Sequence, residues 1–88
     1  MNEFTPVMIS PKQLVSIFIV QGVENLYDEE LADQLGTSVA SLNMMREAKF
    51  AGILMPPWLA LNVHRILSEK HHLIEATKQI LEDDHGGL

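Results

Sequence analysis

The sequence predicts an all-α fold: a compact four- to five-helix domain with a central helix-turn-helix and a C-terminal helix available for dimerisation. Three observations carry this expectation. Asp28 to Met45, DEELADQLGTSVASLNMM, reads as two short helices meeting at a glycine corner. Ser10 followed by Pro11 is a helix start, an N-cap with proline at the first helical position. From Trp58 to Asp83 the chain contains neither Gly nor Pro, and apolar residues recur there at spacings of three, four and seven.

Residues 1–9 contain Pro6 and lack a period, which predicts an extended N-terminal arm with Phe4 or Met8 available to pack on the domain. Residues 10–70 form the helix-turn-helix domain. Its first helix runs through KQLVSIFIVQ to Gly22, which is placed to end it, with Leu14, Ile17, Phe18 and Gln21 on one stripe and Val15 and Ile19 widening the apolar surface. A strand over Val15 to Val20 is the alternative, since five of those six residues are β-branched or aromatic.

In the next helix Leu31, Ala32 and Leu35 fall at helical spacing, and Ala32 allows the following helix to approach closely. Gly36 supplies the left-handed residue that closes a helix, and Ser38 N-caps the helix that follows. Leu42 and Met45 carry that helix back onto the core. FAGILMPP is then a connection broken by Gly52 and Pro56 to Pro57, with Pro57 able to begin a new helix and Trp58 read as a core or staple residue. Residues 57–83 form one long helix or two divided near Ser68 to His71. Residues 71–88 are a C-terminal helix and acidic tail, in which Leu73, Ile74, Thr77, Ile80 and Leu81 make a stripe suited to a C2 dimer interface or to folding back on the domain.

The 88 residues, 47% hydrophobic and 20% charged, suit one globular domain. With no cysteine there is no disulfide framework. The longest apolar run, Ile17 to Val20, is far short of the roughly 20 residues of a membrane span. The first residues also lack the basic region of a signal peptide. The expectation is a cytoplasmic protein.

The net charge of −6 opposes phosphate binding, but it is unevenly distributed. Glu24, Asp28, Glu29, Glu30 and Asp33 make one acidic block, and Glu82, Asp83 and Asp84 another. Between them, Gly36 to His72 carries four basic residues against two acidic ones. The half containing the second motif helix is mildly basic.

No catalytic constellation is present, so no enzyme activity is expected. The acids at Asp28 to Asp33 suit a helix start, where exposed N–H groups favour negative charge. His64, His71, His72 and His85 contain no pair four residues apart, so neither metal nor cofactor is expected.

Leu31, Ala32, Leu35, Gly36, Ser38, Leu42 and Met45 together resemble the helix-turn-helix of Cro and C1-type phage repressors, over the middle of the chain only. The resemblance implies a phage or prophage repressor that binds a palindromic DNA operator as a homodimer in a prokaryotic cell. It places Ser38, Val39, Ala40, Asn43 and Met44 in the major groove, with Asn43 suited to adenine N6 and N7 and Val39 and Ala40 to thymine methyls. Arg46 and Lys49 are then phosphate contacts, with Lys12 or Arg65 assisting. Two departures stand out: Asp28 occupies a position where many members carry a phosphate-binding glutamine, and Thr37 follows the glycine where an apolar residue is usual. Those departures and the apolar tip at Val39 and Ala40 support a second expectation, a phage-encoded inhibitor or antirepressor that binds a basic protein partner.

Overall fold

The computed structural model describes residues 5–86, and side chains from 5 to 82. Phe4 and the acidic side chains beyond Glu82 lie outside the described residues. The order of elements is β1 (Val7–Ile9), α1 (Pro11–Glu24), α2 (Asp28–Leu35), α3 (Val39–Glu47), β2 (Ile53–Met55), α4 (Pro57–Glu69) and α5 (His71–Gly86). Among the described residues the fold is helical apart from the two short strands.

Local chemistry sets most boundaries. Ser10 and Gln13 close a reciprocal cap at the start of α1: the Gln13 amide donates to Ser10 Oγ at 3.2 Å, and the Ser10 amide donates to Gln13 Oε1 at 2.9 Å. The far end corrects the sequence reading. The helix passes Gly22 and stops at Asn25, whose φ of 56° is left-handed. Asparagine tolerates that conformation, and Gly22 stays helical with nothing near the position a Cβ would take.

The arm ends in a paired strand. Val7–Ile9 pairs antiparallel with Ile53–Met55, placing Val7 opposite Met55, Met8 opposite Leu54 and Ile9 opposite Ile53. Alternation along the strands sends Ile9 and Met55 into the core and leaves Met8 and Leu54 facing outward. Met8, expected to pack on the domain, is thus exposed, and Ile9 does the packing. Gly52 makes the turn into β2 with φ 87°, and a Cβ there would lie 3.0 Å from the Ile9 carbonyl oxygen.

The core joins Leu14, Ile17 and Val20 of α1 with Leu31 and Leu35 of α2, Leu42 and Met45 of α3, and Leu59, Val63 and Ile66 of α4. Trp58 is not part of it. Leu59 and Ala60 take the inward positions of α4, so the indole remains half exposed with its edge beside Gly36.

The chain after Pro57 forms two helices divided at Lys70. Lys70 Nζ meets Glu24 Oε2 at 2.7 Å, tying this corner to the end of α1, and that hydrogen bond and charge raise the lysine above its usual range. Ile74 is buried in the chain's own core, which withdraws it from the stripe expected at a dimer interface. Leu73 and Thr77 are half buried, whereas Gln79 to Glu82 are all exposed. The first turns of α5 therefore fold back on the domain, and Ile80 and Leu81 do not.

Two contrasts test this packing by urea unfolding. Ile74→Ala should cost about 2 to 4 kcal/mol by opening a cavity, while Ile80→Ala should stay within about 0.5 kcal/mol in the monomer. Gly22→Ala should stabilise by about 0.5 to 1 kcal/mol, because the site is helical and open; Gly52→Ala should destabilise by more than about 1 kcal/mol through a strained φ and a close carbonyl.

Candidate nucleic-acid interface

The corner between α2 and α3 is built in three residues. Gly36, at φ 73° and ψ 30°, closes α2; its amide donates to Asp33 O, and the Thr37 amide donates to Ala32 O at 2.9 Å. Ser38 then N-caps α3 through Oγ, which accepts from the Ser41 amide at 3.0 Å. Asn62 of α4 holds the corner from outside the motif, donating from Nδ2 to the Leu35 carbonyl at 2.8 Å. Sequence reading missed Asn62, since nothing local marks a residue 27 positions away as the partner of a helix end.

Leu42 and Met45 anchor α3 in the core and turn its other face outward. Ser38, Ala40, Asn43 and Met44 are exposed, and Val39 is half buried. These five residues form one ridge over the first two turns of α3. Lys49 lies just beyond the helix with its ammonium 5.4 Å from the centre of the Phe50 ring. Phe50 is 82% exposed, and Val15, Phe18 and Ile19 of α1 line a shallow apolar groove beside it.

Arg46 stands in a different environment from the one expected. Nη2 donates to Asp28 Oδ1 at 2.8 Å and to Gln21 Oε1 at 3.1 Å, while Nη1 donates to Asn43 Oδ1 at 2.8 Å. The guanidinium also lies 4.8 Å from the centre of the Phe18 ring. Gln21 completes the group by donating from Nε2 to the same Asp28 oxygen at 2.7 Å. A side chain expected on phosphate is thus engaged within the protein, by α1 and α2 and by its own helix. Asp28, which stood out as a departure from the repressor pattern, is its counterion.

The basic residues without an ion-pair partner among the described residues are Lys12, Lys49 and Arg65. Of the expected phosphate contacts, Lys49 is next to the ridge. Asp28, Glu29 and Glu30 occupy the first turn of α2, where Glu30 also accepts from the Tyr27 amide at 2.9 Å. That turn satisfies its own donors and offers little to an anion.

Hydrogen bonds from Gln21 and then Arg46 hold the Asp28 carboxyl below its usual range. A depressed folded value means that Asp28 contributes stability above its unfolded value, near about 4, and that this is lost as pH falls through the lower folded value. Asp28→Asn should therefore lower the urea midpoint at pH 7 and flatten its fall below about pH 4. Midpoints that change with pH as in the unaltered protein would show that the pairing is not kept in solution.

No protein-family model matches the chain, and no curated protein or solved structure matches it either.

Proposed function

We propose that the chain is a sequence-specific DNA-binding regulator that lays the first half of α3 in the major groove and acts as a twofold dimer. The observation that supports this best is the ridge of exposed Ser38, Ala40, Asn43 and Met44, with Val39 half buried beside them, on a helix whose start is fixed by a three-residue corner and whose tilt is set by Leu42 and Met45 in the core. A reading helix needs such a rigid mount, because base edges are distinguished by hydrogen bonds placed to within fractions of an ångström.

The ridge carries suitable chemistry. The Ser38 hydroxyl suits a base edge or a phosphate, Val39 and Ala40 suit thymine methyls, and the Asn43 carboxamide suits a purine edge. Lys49 supplies a phosphate contact beside the helix, with Lys12 and Arg65 available from neighbouring elements. Arg46 acts within the protein and positions α3. For the dimer, the exposed pair Ile80 and Leu81 near the end of α5 is the apolar surface left for a second copy once Ile74 is committed to the core.

One observation favours a second reading, a module that binds another protein. Arg46 is already paired, the first turn of α2 is acidic, and Phe50, Tyr27 and Met44 are prominently exposed. An acidic surface with apolar residues of this kind suits a basic protein partner.

Mobility shifts with a random duplex pool, beginning at about 50 mM salt, separate the two. The DNA reading expects enriched sequences whose affinity falls as salt rises. Lys49→Ala should weaken all duplexes alike and reduce the salt slope of the dimer by about two, one contact per protomer, whereas Asn43→Ala should weaken the enriched sequences selectively. No retention of any duplex at low salt would leave the protein-partner reading. Light scattering at tens of micromolar, a range that captures interfaces of modest affinity, tests the dimer. Replacing Ile80 and Leu81 by Asp should yield a monomer with unchanged helical content, and a full-length chain that is already monomeric refutes this pairing.

A further inference from the structure

On the basis of the DNA-binding reading, we propose that Arg46 sets the Asn43 carboxamide to read guanine, in place of the adenine expected from the sequence. Arginine carries donors and no acceptor, so its contact with Asn43 identifies the carboxamide oxygen without ambiguity. Nη1 donates to Oδ1 at 2.8 Å, drawing that oxygen toward the next turn of α3. Among the described residues Nδ2 has no hydrogen-bond partner, so both of its N–H groups are open to a ligand, whereas Oδ1 keeps one of its two lone pairs. Asn43 itself is exposed.

Arg46 does not hold this position by one contact. Asp28 and Gln21 fix Nη2, and the guanidinium carbon lies 4.8 Å from the centre of the Phe18 ring. Turning the Asn43 amide around would set its NH2 group against the Arg46 donor. The orientation is therefore imposed from α1 and α2, by residues that need never touch DNA.

The two purines ask for different carboxamide edges. Adenine presents an acceptor at N7 and a donor at N6, which together need Nδ2 and Oδ1 side by side on one edge. Guanine presents two acceptors, N7 and O6, which a lone NH2 group can satisfy. With one lone pair of Oδ1 held by Arg46 and the oxygen drawn toward the next turn, the unengaged NH2 edge matches guanine better than the paired donor and acceptor that adenine needs. Arg46 is on this account a positioning residue.

The test uses the full-length chain and duplexes selected from a random pool. The base pair read by Asn43 is the one whose identity ceases to matter in Asn43→Ala. There the unaltered protein should prefer guanine to adenine by about five- to tenfold, and 7-deazaguanine, which lacks N7, should weaken binding by about fivefold. Arg46→Met combined with Asp28→Asn removes the clamp without stranding a carboxylate. It should shift the preference at that pair toward adenine, with folding checked by circular dichroism. An adenine preference in the unaltered protein overturns the proposal while DNA binding stands. A guanine preference that survives in the folded double variant overturns the role of Arg46. If no duplex is enriched, the DNA reading itself fails and takes this proposal with it.

Discussion

What α3 presents depends on the reversal of the chain between Leu35 and Ser38. Gly36 must adopt a left-handed conformation there, and a Cβ at that position would also lie 3.4 Å from Asn62 Nδ2. The same Nδ2 satisfies the Leu35 carbonyl, so the corner is held by a helix outside the motif as well as by its own capping. Because Ser38 caps α3 immediately afterwards, there is almost no slack between the end of one helix and the start of the next. The tilt of α3 then follows from burying Leu42 and Met45 against α2 and α1, and its exposed ridge is the remainder of that choice.

The Arg46 cluster adds orientation more than stability. The side chains of Arg46 and Asp28 are 33% and 38% exposed, so solvent screens their attraction and the pair contributes little to stability. A core residue such as Leu42 contributes several times more. The cluster matters for a different reason: it joins Gln21, Asp28, Asn43 and Arg46 from three helices through a single planar group. Each guanidinium bond has a direction, which burial of apolar surface lacks. Three helices already placed by the core thus acquire a fixed hydrogen-bonding pattern where they converge.

Features written in neighbouring residues were legible in the sequence. Ser10 with Pro11, and Gly36 with Ser38, mark helix ends by steric and capping preferences that operate over three or four positions. The core stripe of α1 and the return face of α3 were legible because helical period alone decides which residues share a side. The β ribbon was not, since two three-residue strands are too short to show alternation and their pairing joins Ile9 to Ile53 across the whole motif. The stripe containing Ile74 is open in the sequence to an interface or to folding back, for a related reason. Periodicity finds an apolar face and cannot say which surface covers it, and here α1 and α4 cover its first turns. Asp28 and Arg46 were both noticed, one as a departure and the other as a cation. That they neutralise each other follows only from the crossing of α2 and α3 and the approach of α1.

Charge placement bears on how such a surface would discriminate among duplexes. The acids of α2 serve the helix, meeting its exposed amides and its dipole, and for that reason they cannot also be an anchor for phosphate. With Arg46 engaged, Lys12, Lys49 and Arg65 remain, and three phosphate contacts per protomer would give a dimer a salt slope near about −5, well short of the most basic repressors. Sequence-independent affinity comes largely from that same attraction, so a weakly basic reader holds random DNA poorly. On the proposed DNA-binding reading, affinity for a correct site would then come from base edges and thymine methyls met by the α3 ridge. Those contacts are short-ranged and are lost at a wrong base. A sparse set of cations therefore lowers total affinity while widening the gap between correct and random sites, provided the ridge is held rigidly enough for its few contacts to be made in full. The corner at Gly36 and the bonds around Arg46 supply that rigidity.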